Sequence, residues 1–67
     1  MKLIKEYLCD GTPSDEEIIK AIKIVEKDNC VVRLKWFIPY SGWYTLLVKD
    51  GMTFEECKNK LPRVYGL

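Results

Sequence analysis

Apolar and polar residues alternate with a period of two in two neighbouring segments, Cys30–Pro39 and Trp43–Lys49. The even-numbered positions of both segments are apolar, whereas Arg33 and Lys35 fall on odd-numbered positions of the first. Alternation of this kind predicts half-buried β-strands. The intervening Tyr40-Ser41-Gly42 suits a three-residue hairpin loop, in which a type I turn is followed by a left-handed glycine. The two segments are therefore predicted to form a β-hairpin.

A three-residue loop pairs residues of equal parity and so assigns every side chain of the hairpin to a face. One face is apolar throughout, with Val32, Leu34, Trp36, Ile38, Tyr44, Leu46 and Val48. The opposite face carries Val31, Arg33, Lys35, Phe37, Trp43, Thr45, Leu47 and Lys49. We predict that the first face lines the core, because a slip of one residue would bury the arginine and the lysines.

Residues Ser14–Lys27 show the period of an α-helix instead of the alternation of a strand. The apolar face of this helix consists of Ile18, Ala21, Ile22 and Val25. Ser14 and Glu17 have the spacing of a capping box, in which the hydroxyl and the carboxylate satisfy helix N–H groups reciprocally. Acidic residues in the first turn and lysines in later turns complement the helix dipole. The pattern predicts a helix over about residues 14–27.

The junction into this helix has a counterpart later in the chain. An Asp-Gly pair, a hydroxyl residue and paired glutamates occur at residues 10–17 and again at residues 50–56. Thr53 and Glu56 form the second candidate capping box and predict a shorter helix over about residues 53–60. The segment Lys2–Cys9 fits either a helical stripe or a poorly alternating strand. We favour the strand, because an extended segment precedes the other Asp-Gly junction.

The predicted order of elements is strand, helix, strand, strand, helix. This order is typical of a small α+β domain with two layers, β-α-β-β-α, and a three-stranded, mostly antiparallel sheet. The long helix is expected on one face of that sheet, and the short helix at the C-terminal end. Residues 63–67 form a tail that is expected to dock through Val64, Tyr65 and Leu67. Residues 1–67 are interpreted as a single domain.

Composition agrees with a folded domain, since 48% of the 67 residues are hydrophobic and 31% are charged. No apolar run approaches the roughly 20 residues that cross a bilayer. The first eight residues include Lys2, Lys5 and Glu6, which interrupt any signal-peptide core. We therefore expect a cytoplasmic protein that has no membrane partner.

Catalytic and metal-binding chemistry has little support in the sequence. The chain has no histidine, so the most common general base and the serine–histidine and cysteine–histidine pairs are absent. Cys9, Cys30 and Cys57 are widely spaced and form no C-x-x-C pair, so they fit neither a zinc site nor a disulfide framework. We interpret them as buried small hydrophobes. We expect no enzyme activity, no cofactor and no metal.

The remaining signal is a cluster of aromatic residues. Five of the eight aromatics lie between Trp36 and Tyr44, and those two are expected in the core. Phe37 and Trp43 are left on the opposite face of the hairpin among basic residues. The candidate binding residues are Arg33, Lys35, Phe37, Tyr40, Trp43, Leu47 and Lys49. The alternative is that the second helix covers this face, which would make it part of the core.

Two hypotheses of function follow, in different classes. The first is a non-enzymatic protein-binding module, an inhibitor, adaptor or self-associating subunit, that uses this aromatic and basic face or a sheet edge. Its partner would be another protein or a second copy of this chain. The second is single-stranded nucleic-acid binding, with Phe37 and Trp43 stacking on bases. The net charge of +1 is small for a protein that depends on phosphate contacts, so protein binding is favoured.

Overall fold

The computed structural model describes residues 3–61, which form five elements in the order β-α-β-β-α. The elements are β1 (Ile4–Leu8), α1 (Asp15–Asp28), β2 (Val31–Ile38), β3 (Gly42–Val48) and α2 (Phe54–Asn59). The α+β class and the order of elements are confirmed, and the ambiguous first segment is a strand. The predicted docking of residues 63–67 lies outside the described residues.

The three strands form one mixed sheet in the order β1-β2-β3. β1 runs parallel to β2, and β3 runs antiparallel to β2. The parallel pair needs a long crossover, which α1 provides, whereas the antiparallel pair needs only the short hairpin loop. β2 is therefore the central strand, and α1 is the crossover that joins β1 to it.

Both predicted capping boxes are present. The Glu17 N–H donates to the Ser14 hydroxyl at 3.3 Å, and the Ser14 N–H donates to the Glu17 carboxylate at 2.9 Å. Thr53 and Glu56 make the same two bonds at 3.1 and 3.3 Å. The bond from the Ser14 backbone also holds the pKa of Glu17 below its usual value. The repeated junctions are thus explained by the same local hydrogen bonding.

The core lies between α1 and the predicted apolar face of the hairpin. Val32 is opposite Val48, and Trp36 is opposite Tyr44, so residues of equal parity are paired and the two faces are as predicted. The predicted loop Tyr40-Ser41-Gly42 would pair Pro39 with Trp43, whereas the structure pairs Ile38 with Gly42, so the register differs from the predicted one by two residues. Val32, Trp36 and Val48 are fully buried, whereas Tyr44 is only half-buried. The other core residues are Ile18, Ala21 and Val25 of α1, Leu34 and Leu46 of the sheet, and Cys9, Cys30 and Cys57.

The hairpin loop differs from the predicted type I turn. The Ser41 N–H donates to the Ile38 carbonyl at 3.1 Å, so the turn is centred on Pro39 and Tyr40. Tyr40 has a φ of 69°, and a positive φ at this position is the signature of a type II turn, with proline at the position before. Gly42 does have the predicted positive φ, at 114°. The φ of proline suits the first central position of either a type I or a type II turn, so Pro39 favours a turn centred on Pro39 and Tyr40 over one centred on Tyr40 and Ser41.

The short helix α2 lies on the same side of the sheet as α1. It packs against α1, and its residue Cys57 is fully buried in the shared core. Lys58 of α2 also makes an ion pair with Asp15 of α1 at 2.8 Å. The alternative in which α2 covers the opposite face of the hairpin is therefore wrong, and within residues 3–61 that face has no covering element.

Candidate functional site

The side of the sheet opposite the helices is called the outer face, and it carries most of the predicted binding residues. Phe37, Trp43 and Leu47 are 48, 57 and 37% exposed there. Arg33 and Lys35 lie on the same face, opposite Leu47 and Thr45 in the strand register. The hairpin thus presents aromatic and aliphatic side chains around two basic residues.

β1 extends the outer face with residues that the sequence analysis did not identify. The parallel register places Ile4 beside Val31, Glu6 beside Arg33 and Leu8 beside Lys35. Neighbours in register share a face of the sheet, so Ile4 and Leu8 lie on the outer face, where they are 49 and 73% exposed. The apolar surface is therefore wider than the hairpin alone.

The charged groups of the outer face are engaged within the sheet. The Arg33 guanidinium donates to the Glu6 carboxylate at 3.1 Å, across the β1–β2 pair. The Lys35 ammonium lies 4.8 Å from the centre of the Trp43 ring, within range of a cation–π interaction. Trp43 also contacts Phe37, with ring centres 5.3 Å apart. These contacts fix the orientation of the central side chains.

Two of the predicted binding residues lie away from this cluster. Tyr40 is in the hairpin turn, beyond the paired residues of the sheet, and is 99% exposed. Lys49 follows the last residue of β3 and lines a hollow beside Met52 at the β3 edge. The structure therefore brings together Arg33, Lys35, Phe37, Trp43 and Leu47, with Ile4, Glu6 and Leu8 added from β1.

The three cysteines are buried, as their interpretation as small hydrophobes predicts. Burial, followed by the neighbouring Glu17 carboxylate, raises the pKa of the Cys9 thiol to about 11. Burial also raises the pKa of Cys57. Both thiols are therefore protonated at neutral pH, which makes them poor nucleophiles and poor metal ligands.

Residues 3–61 contain neither a candidate metal cluster nor a candidate membrane-spanning helix. No group of three or more His, Cys, Asp or Glu side chains there is arranged to hold a metal ion. No helix in the same part of the chain has the length and apolar character to cross a membrane.

Comparison with protein-family models, with curated proteins and with solved structures finds no match to this chain. Function is therefore inferred from the chemistry of the exposed surfaces. The outer face combines a large apolar area with two basic groups at its centre, and both features bear on the kind of partner it could bind.

Proposed function

We propose that the protein is a non-enzymatic binding module that docks a partner protein on its outer face. The observation that carries this proposal is the exposure of five large apolar residues on one side of a three-stranded sheet: Ile4, Leu8, Phe37, Trp43 and Leu47. Contiguous apolar patches on small proteins often mark interaction sites. Tryptophan is also among the residues that contribute most binding energy at interfaces.

The outer face carries Arg33 and Lys35 against Glu6, and this excess of one positive charge favours a partner that is acidic as well as apolar. Arg33 and Lys35 belong to the central strand, so both lie in the middle of the face. A second copy stacked face to face on the same axis would bring these cations close to their own equivalents, and like charges at an interface are costly. A different protein, with a carboxylate at the centre of an apolar surface, fits better than a homodimer.

The contact between Lys35 and Trp43 argues against the nucleic-acid alternative. The Lys35 ammonium already lies over the Trp43 ring, on which a base would have to stack. This contact lowers the expected affinity for a single strand and supports protein binding.

The three buried free thiols support a reducing compartment, and we place the protein in the cytoplasm on that basis. The high pKa of Cys9 supports a structural role for this thiol, without a catalytic one. Mass spectrometry of the native protein without reductant should give the mass of the fully reduced chain, and a loss of two mass units would contradict this placement.

Site-specific photocrosslinking tests the outer face. A benzophenone side chain at Phe37 should crosslink a partner protein, whereas the same group at Ile19, which is 43% exposed on α1, should not. The captured protein is then purified and its dissociation constant measured directly. Trp43→Ser and Leu47→Ser should each weaken binding by about tenfold or more, and Ile19→Ser by less than about twofold.

Three outcomes would contradict the proposal. The first is equal crosslinking from Phe37 and Ile19, which would mean that the outer face has no specific partner. The second is crosslinking between copies of this chain alone, which would indicate a homodimer. The third is binding of a thymidine oligonucleotide with a steep dependence on salt, which would indicate nucleic-acid binding.

A further inference from the structure

A groove on the opposite side of the sheet separates β1 from α1. The helix packs mainly on β2 and β3, so the inner side of β1 is left partly open. Tyr7 and Leu34 form the floor of the groove, and Ala21 and Ile24 of α1 form its wall. The groove has a volume of about 460 Å³. It shares Leu8 with the outer face, and the rest of its lining is separate from that face.

Lysines from α1 surround this apolar surface. Lys20, Lys23 and Lys27 all line the groove, and the one acidic residue among its lining side chains is Glu17. Glu17 is already engaged, because its carboxylate accepts a hydrogen bond from the Ser14 backbone at 2.9 Å. The groove therefore presents an excess of positive charge to any ligand.

The backbone of β1 gives the groove a hydrogen-bonding edge. The Leu3 carbonyl accepts from Val31, and the Cys9 N–H donates to Lys35, so both residues bond towards β2. Alternate residues of a strand bond to the same neighbour. The N–H and C=O groups of Ile4, Glu6 and Leu8 therefore point to the other side. Within residues 3–61 no strand pairs with that side, since β1 is at the edge of the sheet.

We propose that this edge binds an extended, acidic segment of a partner protein, which adds to β1 as a fourth strand. Strand addition supplies backbone hydrogen bonds, and side chains on alternate positions supply specificity. Every second side chain of the added strand would enter the groove. Three side chains of the added strand would then lie in the groove. The central one would be apolar and would contact Tyr7 and Ile24, and the two on either side of it would be acidic.

The spacing of the lysines sets the spacing of the acidic residues. Lys20 and Lys27 are seven residues apart on α1, which corresponds to roughly 10 Å along the helix axis. Two residues four positions apart in a strand are separated by roughly 13 Å. Flexible lysine side chains span the difference. The motif is therefore acidic–x–apolar–x–acidic. The groove shares Leu8 with the outer face, but its lysines are not part of that face, so either proposal can fail alone.

A capped peptide, acetyl-Thr-Glu-Thr-Val-Thr-Glu-Thr-amide, is the direct probe. Isothermal titration calorimetry with the full chain should detect its binding and should detect none of a control peptide with lysine in place of both glutamates. Lys20→Glu and Lys27→Glu should each weaken binding by roughly fivefold or more. The matched control is Lys60→Glu, an exposed lysine outside the groove, which should bind as the parent does.

Backbone substitutions test the strand addition itself. Glu6→Pro removes an N–H from the open edge and leaves the ladder with β2 intact, so it should abolish binding. Glu6→Ala loses the same ion pair with Arg33 but keeps the N–H, and it should bind normally. Two N-methylated peptides, one methylated at the odd and one at the even positions, should differ in affinity. In an added strand, one set of N–H groups donates to β1 and the other set faces away from it.

Each contrary result overturns the proposal. Equal binding by the two N-methylated peptides would exclude backbone pairing, and loss of binding by both would indicate a helical ligand. No binding by the full chain below about 1 mM would exclude this motif as a ligand. Dimerisation that Glu6→Pro abolishes, without peptide binding, would show that the edge pairs with a second copy.

Discussion

Trp36 and Trp43 lie on opposite faces of the hairpin, so their replacement by alanine separates the core from the outer face. Trp36 is fully buried, and its ring centre lies 6.1 Å from that of Tyr44. Truncating a buried tryptophan costs about 3–5 kcal/mol. A domain of this length is expected to have a free energy of unfolding of about 3–10 kcal/mol. Trp36→Ala should therefore remove most of the free energy of unfolding.

The loss of stability in Trp36→Ala should lie near the lower end of the range of about 3–5 kcal/mol. The indole Nε1 of Trp36 is buried and has no hydrogen-bond acceptor among residues 3–61. A buried donor without a partner costs about 1–3 kcal/mol, and alanine removes that donor together with the ring. Trp36→Phe also removes the donor but keeps an aromatic ring, and we expect it to cost about 1 kcal/mol.

Trp43→Ala should cost less, because 57% of Trp43 is already exposed. The covered part of the side chain is about 100 Å², from a total of roughly 250 Å². At about 25 cal/mol/Å², and allowing for burial in the unfolded chain, the expected loss is about 1–2 kcal/mol. This includes the contacts with Phe37 and Lys35. The variant should remain folded at 25 °C.

Urea unfolding followed by far-UV circular dichroism measures all three variants on the same scale. The midpoint should fall in the order parent, then Trp43→Ala and Trp36→Phe, then Trp36→Ala. Equal losses from the two alanine variants would refute the assignment of faces, because they would require the outer face to be covered. A Trp36→Ala variant as stable as the parent would refute the core itself.

Two further predictions concern the caps and the thiols. Ser14→Ala should cost about 1 kcal/mol in thermal melts and Thr53→Ala a similar or smaller amount, whereas Thr12→Ala, an exposed hydroxyl before the first cap, should change little. Iodoacetamide should label Cys9 slowly at neutral pH. The labelling rate should rise with pH and reach half its maximum near the Cys9 pKa of about 11. Since this pKa lies above the usual 9.0, the unfolded chain loses the proton first, and the contribution of Cys9 to stability should fall between about pH 9 and 11. Rapid labelling at pH 7 would contradict the buried, protonated thiol.

The elements that the sequence predicts correctly are those that depend on local interactions. Each capping box involves residues three positions apart, so Ser14 and Thr53 mark their helices without tertiary information. The two faces of the hairpin follow from a period of two across a short loop, which places Trp36 and Tyr44 on the same face. The predicted turn was wrong because Pro39 occupies the first central position of the turn, which moves the turn one residue earlier along the chain.

The outer face was predicted only in part, because β1 is apolar on both sides. Ile4 and Leu8 point to one side and Tyr7 to the other, so the pattern does not identify a buried face. The parallel register is set by the crossover through α1, which no local pattern encodes. The pairing of Arg33 with Glu6 depends on this register, so the sequence alone could not show that this cation is engaged.

The position of β1 at the sheet edge also bears on the order of folding and on local stability. Its partners in β2 are 27 residues away along the chain, whereas the hairpin closes across a few residues. Closing the longer loop costs more entropy, so β1 is expected to join the sheet after the hairpin has formed. With one neighbouring strand and a partly open inner side, β1 should also open locally more readily than β2. Because both proposed sites use β1, a partner at either one would slow amide exchange along the strand and prepare the other site for binding.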